Sequence, residues 1–237
     1  MMLTSFLASF AVLIGYFVAC ALTAIVIRHL VRIPEEVFRK TLHLILLGYL
    51  PVFLYSFEYW WMAAGASLLF AVLVYPALAV AERLDGYSEL LTERAEGEVK
   101  NSLLLVFGMY SLMIAISWGW LGEQWLALAS IYAWGFGDAA AALIGKKFGK
   151  HHLEGGTIEG RKSVEGTVAM FVVSFATVLI VLAANASLVP VGYFGIPLLA
   201  AAATSATELF TPGGNDTVTC PVVAAAVIFP LTHLLGA

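Results

Sequence analysis

The twelve lysine and arginine residues of this 237-residue chain all lie in three polar segments, and long apolar runs separate those segments. The segments contain Arg28, Arg32, Arg39 and Lys40; then Arg83, Arg94 and Lys100; and then Lys146, Lys147, Lys150, Arg161 and Lys162. An excess of cations marks the cytoplasmic loops of polytopic membrane proteins. The pattern therefore predicts an integral, multi-pass membrane protein whose three basic loops are all cytoplasmic.

The composition agrees with a chain whose solvent is mostly lipid, since 61% of its residues are apolar and only 12% are charged. A membrane-spanning helix needs about 20 predominantly apolar residues. We therefore expect an all-α protein with about eight transmembrane helices, which form a single polytopic membrane domain over residues 1–237. The predicted spans cover residues 5–27, 41–57, 59–81, 101–119, 124–145, 164–184, 190–207 and 218–236.

The first apolar run is longer than the core of a signal peptide, and no cation precedes it. We therefore interpret it as a spanning helix whose N-terminus is outside. With eight spans, both termini are then external. The turn over residues 208–216 joins the basic loops on the cytoplasmic side.

An acidic residue, Asp138, lies inside the fifth predicted span, roughly 10 Å of helix rise from Lys146. An ionised aspartate at mid-bilayer costs about 3 kcal/mol even on lenient insertion scales, so such residues are usually paired, hydrated or functional. Gly135 and Gly137 precede it and allow another backbone to come close. The pattern favours a functional acid, and the alternative is an acid that pairs with a lysine near the interface.

The third basic loop, over residues 145–167, combines five cations with several glycines. Glycine lets backbone N–H groups approach an anion, and lysine and arginine supply the charge that phosphate binds. Ser163 is placed to cap the next helix, whose N-terminus would face a bound phosphate. The predicted nucleotide-binding residues of this loop are Lys146, Lys147, Lys150, Arg161, Lys162, Ser163 and Gly166.

This loop is not a P-loop, because G-x-x-x-x-G-K-[ST] would require a lysine where Arg161 stands. The alternative to a nucleotide site is a basic loop that contacts anionic lipid headgroups.

Two further polar groups adjoin the predicted cytoplasmic face. Glu208 and Asp216 flank a Pro-Gly-Gly turn without a neighbouring cation, which suits Mg²⁺, although an ordinary hairpin turn is the alternative. At the entrance of the second span, Arg39 and His43 are separated by four residues and so share a helix face, with Lys40 beside them. This second group could contact a phosphate or a substrate headgroup.

Together these groups supply what phosphoryl or nucleotidyl transfer requires, namely charge neutralisation, a metal and positioning. We expect Asp138, Asp216 and Glu208 to bind Mg²⁺, and Arg39 and Lys40 to join the nucleotide-binding residues. The sequence contains no Ser-His-Asp or HExxH pattern, and we expect no nucleic-acid partner.

At these positions the chain resembles the CTP-dependent lipid-alcohol kinases, a family that includes phytol kinase, farnesol kinase, the C-terminal domain of dolichol kinase and yeast-type diacylglycerol kinase. The family is distantly similar to phosphatidate cytidylyltransferase. The resemblance covers roughly residues 39–221. Its matching pieces are Arg39-Lys40-x-x-His43, Gly137-Asp138-x-x-Ala141 with Gly145-Lys146-Lys147-Phe148-Gly149, Arg161-Lys162-Ser163-x-Glu165-Gly166-Thr167, and Glu208 with Asp216-x-x-Thr219-x-Pro221. The chain departs from the family at Asn215-Asp216-Thr217, where Asp-Asn is expected.

The resemblance implies transfer of the γ-phosphate of a nucleoside triphosphate, commonly CTP, to the hydroxyl of an isoprenoid or other lipid alcohol within the bilayer. Asp138, Glu165 and His43 are the candidate catalytic residues. Either Asp138 or Glu165 would accept the proton of the alcohol. A homodimer is possible.

Two other functions are also compatible with the sequence. A cytidylyltransferase that makes CDP-diacylglycerol would release pyrophosphate, whereas a kinase releases the nucleoside diphosphate. A transporter could use Asp138 as a coupling site, but the inverted repeats that would favour it are not evident.

Overall fold

A computed structural model describes residues 2–83, 87, 97–153, 155, 158, 162–212 and 214–236. Within these residues the regular elements are helices, and the only β-type pairings are two isolated bridges. The helices are α1 (Met2–Leu30), α2 (Glu35–Leu47), α3 (Tyr49–Ser56), α4 (Trp60–Ala81), α5 (Glu98–Ile114) with a π-helical continuation (Ala115–Trp120), α6 (Gln124–Phe148), α7 (Val164–Asn185), α8 (Gly192–Phe210) and α9 (Asp216–Leu234).

Seven helical stretches in the described part of the chain are long and apolar enough to cross a membrane. One of them combines α2 and α3, and another combines α5 with its π-helical continuation. The seventh predicted span, residues 190–207, corresponds to α8, which is helical but is not among these seven stretches. Tyr193, Glu208 and several serine and threonine residues interrupt its apolar run. The all-α class is therefore confirmed, while the membrane orientation stays a prediction.

The helices extend beyond several predicted span ends, because the polar residues that flank the apolar runs are good helix formers. The helix α6 continues through Lys146 and Lys147 to Phe148, and α2 begins at Glu35 rather than at residue 41. The second span is divided at Gly48, where a Cβ atom would lie 2.0 Å from the Tyr16 hydroxyl. This position therefore has no room for a larger side chain.

The chain divides into two compact units, Met1–Gly119 and Trp120–Ala237. A compact unit need not fold independently, so the single-domain expectation stays a prediction. The core of the first unit is aromatic. Fully buried Tyr49 packs edge-on against Tyr16 and Phe107, with ring centroids 4.6 Å and 5.4 Å apart, and it also contacts Phe70.

In the second unit, α6, α7, α8 and α9 form a closed cycle in which each helix packs against the next and α9 packs against α6. Small residues bring α6 and α7 together. A Cβ atom at Gly137 would lie 2.5 Å from Ser174 Oγ, and that hydroxyl donates to the Ala133 carbonyl over 2.7 Å. The predicted close backbone approach at Gly137 is confirmed.

Candidate functional site

The packing of α9 against α6 brings Asp216 and the central part of α6 together. Trp134 and Asp138 lie one turn apart on α6, so they share a face of that helix. The buried Trp134 indole donates its Nε1–H to Asp216 Oδ2 over 3.2 Å. Asp216 is the first residue of α9, and its carboxylate is therefore tied to the helix that carries Asp138.

Glu208, near the end of α8, completes a group of three acidic residues with Asp138 and Asp216. Both aspartates lie close enough to Glu208 to interact with it electrostatically. We call these three residues the carboxylate cluster. The fold thus assembles the three predicted metal-binding residues from α6, α8 and α9 in one region of the second unit.

Lys162 is held at the end of α8 by three oxygen acceptors. Its Nζ lies 3.0 Å from Glu208 Oε1, donates to the Glu208 carbonyl, and reaches the Leu209 carbonyl over 3.4 Å. An ammonium group has three N–H donors, so each of them has an acceptor here. Lys162 therefore neutralises Glu208 and satisfies carbonyls at the C-terminus of α8.

The third basic loop is anchored to α7 by a helix cap and by a short backbone pairing. Ser163 Oγ accepts a hydrogen bond from the Gly166 N–H over 3.2 Å, which confirms the predicted cap. Leu153 N–H donates to the Lys162 carbonyl and Val164 N–H donates to the His151 carbonyl, both over 2.9 Å. The two ends of the loop are therefore held side by side at the start of α7.

The Glu165 side chain, in the first turn of α7, is engaged by His151. The backbone N–H of His151 donates to Glu165 Oε2 over 3.3 Å, and its ring Nδ1 lies 2.8 Å from Oε1. The His151 side chain is 77% exposed, whereas that of Glu165 is 25% exposed. Glu165 thus holds an exposed imidazole, and both of its oxygens are occupied in doing so.

Three of the predicted phosphate-binding lysines are exposed, namely Lys146 and Lys147 at the end of α6 and Lys150 just beyond it. The Lys147 ammonium lies 5.1 Å from the centroid of the Phe148 ring. Arg161 lies outside the described residues. These lysines are accessible to a soluble polyanion, and their contact with a nucleotide stays a prediction.

Ser163 and Gly166 are both buried and serve the contact between α6 and α7. A Cβ atom at Gly166 would lie 2.9 Å from the Ala141 carbonyl and 3.4 Å from the Gly145 Cα. The Gly166 N–H is also used by the cap at Ser163. Their predicted binding to a nucleotide remains untested, and the geometry assigns them a packing role.

The donor set suits Mg²⁺ shared with phosphate rather than a metal held by protein alone. Among the residues that the structure describes, no three His, Cys, Asp or Glu side chains lie close enough together to hold a metal ion. Glu208 is already paired with Lys162. Asp138 and Asp216 are the other two members of the cluster, and Mg²⁺ commonly uses one or two carboxylates with substrate phosphates and water as its other ligands.

The predicted site residues of the first unit lie on α2. Arg39 Nη1 is 3.4 Å from Glu36 Oε2, and Arg39 Nη2 is 3.5 Å from Glu98 Oε1 on α5. Lys40 and His43 are half-buried on the same helix, so the predicted grouping along α2 is confirmed. Their contact with a phosphate or a substrate stays a prediction.

Trp134 and His151 are not among the site residues predicted from the sequence. For Trp134 a signal existed, because it stands four residues before Asp138 and must share its helix face. No comparable signal marks His151, since it stands next to His152 and only the fold distinguishes the two.

Comparison with known proteins supports the resemblance to lipid-alcohol kinases. The chain is 28% identical over 237 residues to a phytol kinase of Synechocystis sp., and the match covers 92% of this chain and 89% of the relative. No family model and no solved structure matches the chain. The similarity therefore extends over nearly the whole length of both proteins.

Proposed function

We propose that this protein is a membrane kinase that transfers the γ-phosphate of a nucleoside triphosphate to the hydroxyl of an isoprenoid or other lipid alcohol. The similarity to phytol kinase along 92% of the chain carries this proposal. Phytol is the first acceptor to test, followed by farnesol, a polyprenol, dolichol and diacylglycerol. The family resemblance favours CTP as the phosphate donor.

The exposed lysines are the groups that would bind the triphosphate. Lys146, Lys147 and Lys150 lie at the end of α6 and in the loop that follows, and a phosphate oxygen accepts strong charge-assisted hydrogen bonds from an ammonium. Asp138 and Asp216 would hold Mg²⁺, which supplies neutralisation of the charge on the phosphates. The protein's own contribution is to position and to neutralise, which is most of what phosphoryl transfer needs.

Asp138 is our choice for the group that accepts the proton of the alcohol. Both oxygens of the other candidate, Glu165, are engaged by His151. In the proposed reaction the alcohol loses its proton to the carboxylate oxygen of Asp138 that is not bound to Mg²⁺, and the alcohol oxygen forms a bond to the γ-phosphorus. The bond between that phosphorus and the β,γ-bridging oxygen breaks, and the nucleoside diphosphate leaves with the electron pair.

The test is transfer of label to lipid by the purified protein in detergent or vesicles with Mg²⁺. CTP, ATP, GTP and UTP labelled at the γ-phosphate are each supplied with phytol, farnesol, a polyprenol, dolichol and diacylglycerol. We expect labelled lipid phosphate and a stoichiometric amount of nucleoside diphosphate. Folded protein that labels none of these lipids would contradict the proposal. Release of pyrophosphate with phosphatidate as acceptor would indicate a cytidylyltransferase instead.

A further inference from the structure

One contact in the carboxylate cluster comes from a residue that has no part in the function proposed so far. The Trp134 side chain is 2% exposed, and its indole N–H donates to Asp216 Oδ2 over 3.2 Å. An indole nitrogen can only donate, so the contact requires an acceptor with a lone pair directed at the ring. Trp134 therefore restricts the orientation of the Asp216 carboxylate.

Because Trp134 lies on α6 and Asp216 on α9, this hydrogen bond joins two helices that are distant in sequence. Trp134 precedes Asp138 by one helical turn, so a single helix presents one carboxylate of the cluster and also the donor that orients another. The two bonded residues are 82 positions apart in sequence. The indole thus connects α6 to the first residue of α9 at the site itself.

A second tryptophan on α6 provides a comparison. Trp125, at the other end of the helix, donates to Glu123 Oε2 over 2.6 Å, and its partner is only two residues away. A buried or half-buried tryptophan usually finds a partner for its N–H, and Trp125 satisfies that need locally. The Trp134 N–H instead donates to a carboxylate of the cluster.

We propose that Trp134 is a positioning residue of the site, which fixes the plane of the Asp216 carboxylate and so determines where Oδ1 can bind the metal that accompanies the nucleotide. This inference rests on the proposed function for the role of Asp216. Partners of metal-binding carboxylates typically change metal affinity or activity by about 10- to 100-fold when they are removed. A loss of that size is expected without the indole N–H.

The experiment compares Trp134→Phe with the matched control Trp125→Phe, each in the full chain. Phenylalanine keeps an aromatic ring and removes the N–H donor. Binding of Mn²⁺ in the presence of CTP is measured by electron paramagnetic resonance without any lipid, and kcat and KM for phytol are measured separately. We expect Trp134→Phe to weaken Mn²⁺ binding by roughly 10-fold or more and to lower kcat, while KM for phytol stays unchanged. Trp125→Phe should behave as the wild type does.

A second pair of substitutions separates the hydrogen bond from packing. Trp134→His keeps a ring N–H donor and Trp134→Met does not, so we expect the histidine variant to bind Mn²⁺ more tightly than the methionine variant. If the phenylalanine variant does not fold, this pair still shows whether the N–H donor affects Mn²⁺ binding. Equal Mn²⁺ affinity in the wild type and in the folded Trp134 variants would overturn the inference.

The two readouts also separate this inference from the proposed function. A wild type that binds Mn²⁺ with CTP through Trp134 but phosphorylates none of the lipids would refute the kinase and keep the positioning role. An active kinase whose Mn²⁺ affinity and kcat do not depend on Trp134 would refute only the positioning role.

Discussion

In the first compact unit, Arg39 and Lys100 are neutralised by carboxylates, whereas in the second unit Lys146, Lys147 and Lys150 are exposed. Arg39 pairs with Glu36 and Glu98, and Lys100 pairs with Glu82 at the end of α4. By sequence, the three basic segments contain four, three and five cations. The difference teaches that a count of cations marks a basic loop, but only the environment of each side chain in the fold indicates which cations a polyanion can reach.

In the second unit, a single loop contains a lysine that is paired with a carboxylate and also lysines that are exposed. Lys162 is bound by Glu208 and by two carbonyls at the end of α8, while the other described lysines of the same loop are exposed. We therefore expect the loop to divide its tasks. Lys162 would hold the loop against α8, and the exposed lysines would contact the nucleotide.

The largest effect is expected at Asp138. Replacing it with asparagine removes the proposed proton acceptor, and loss of a general base typically lowers a rate by roughly 100- to 10,000-fold. The rate of lipid phosphorylation at saturating nucleotide is the measurement. Glu123→Gln, at the residue just before α6, is the matched control and should keep the wild-type rate. An Asp138→Asn variant with a rate within threefold of the wild type would remove Asp138 from the reaction.

The next largest effect is expected on stability, when the ion pair between Lys162 and Glu208 is broken. Removing one partner of a buried ion pair costs about 3–5 kcal/mol, and the partial exposure of this pair reduces that to about 2 kcal/mol. Both Lys162→Ala and Glu208→Gln should therefore lower the Tm in detergent by about 4–8 °C. The double variant Lys162→Ala with Glu208→Gln should lose less than the sum of the two single changes. Strict additivity would show that the two residues do not stabilise each other.

Substitution of an exposed lysine should change nucleotide binding and leave the stability nearly unchanged. Lys147→Gln removes a charge-assisted hydrogen bond to phosphate worth about 1.5–3 kcal/mol, so the KM for the nucleotide should rise by at least about 10-fold. The Tm should hardly change, because the side chain is exposed. Nucleotide titrations and thermal unfolding of the same preparation separate the two effects. A large fall in Tm with an unchanged KM would mean that Lys147 is structural.

The smallest effect is expected at Arg39. Its ion pairs with Glu36 and Glu98 are long, at 3.4 Å and 3.5 Å, and such partly exposed pairs contribute about 0.2–1 kcal/mol each. Arg39→Gln should lower the Tm by a few degrees and change the nucleotide KM less than Lys147→Gln does. A KM increase as large as that of Lys147→Gln would indicate that Arg39 binds phosphate. It would contradict the proposed difference between the paired cations of the first unit and the exposed lysines of the second.

The parts of the fold that follow local rules could be predicted from the sequence. Apolar runs located the helices, Ser163 was recognised as a cap, and Gly137 was recognised as a point of close approach. The ends of the helices were less accurate, because charged residues such as Lys146 and Lys147 continue a helix after its apolar run has ended. The helix α8 is not among the seven apolar stretches, because hydroxyl-bearing residues and Glu208 interrupt its apolar run.

The partners within the site could not be predicted, since they depend on how helices that are distant in sequence pack and rotate. Lys162 and Glu208 are 46 positions apart, and Trp134 and Asp216 are 82 apart. Sequence placed Lys162 with the nucleotide and Glu208 with the metal, and nothing local indicates that the two bind each other. Charge and motif therefore select the candidate residues, while the contacts between those residues required coordinates.

The most direct test of the account is the rate of phosphate transfer from γ-labelled CTP to phytol, measured side by side for the wild type, Asp138→Asn, Asp216→Asn and Glu123→Gln. We expect labelled phytyl phosphate from the wild type and from Glu123→Gln, and a loss of roughly 100-fold or more from both aspartate variants. Equal labelling by all four proteins would contradict the assignment of the carboxylate cluster as the site of phosphoryl transfer.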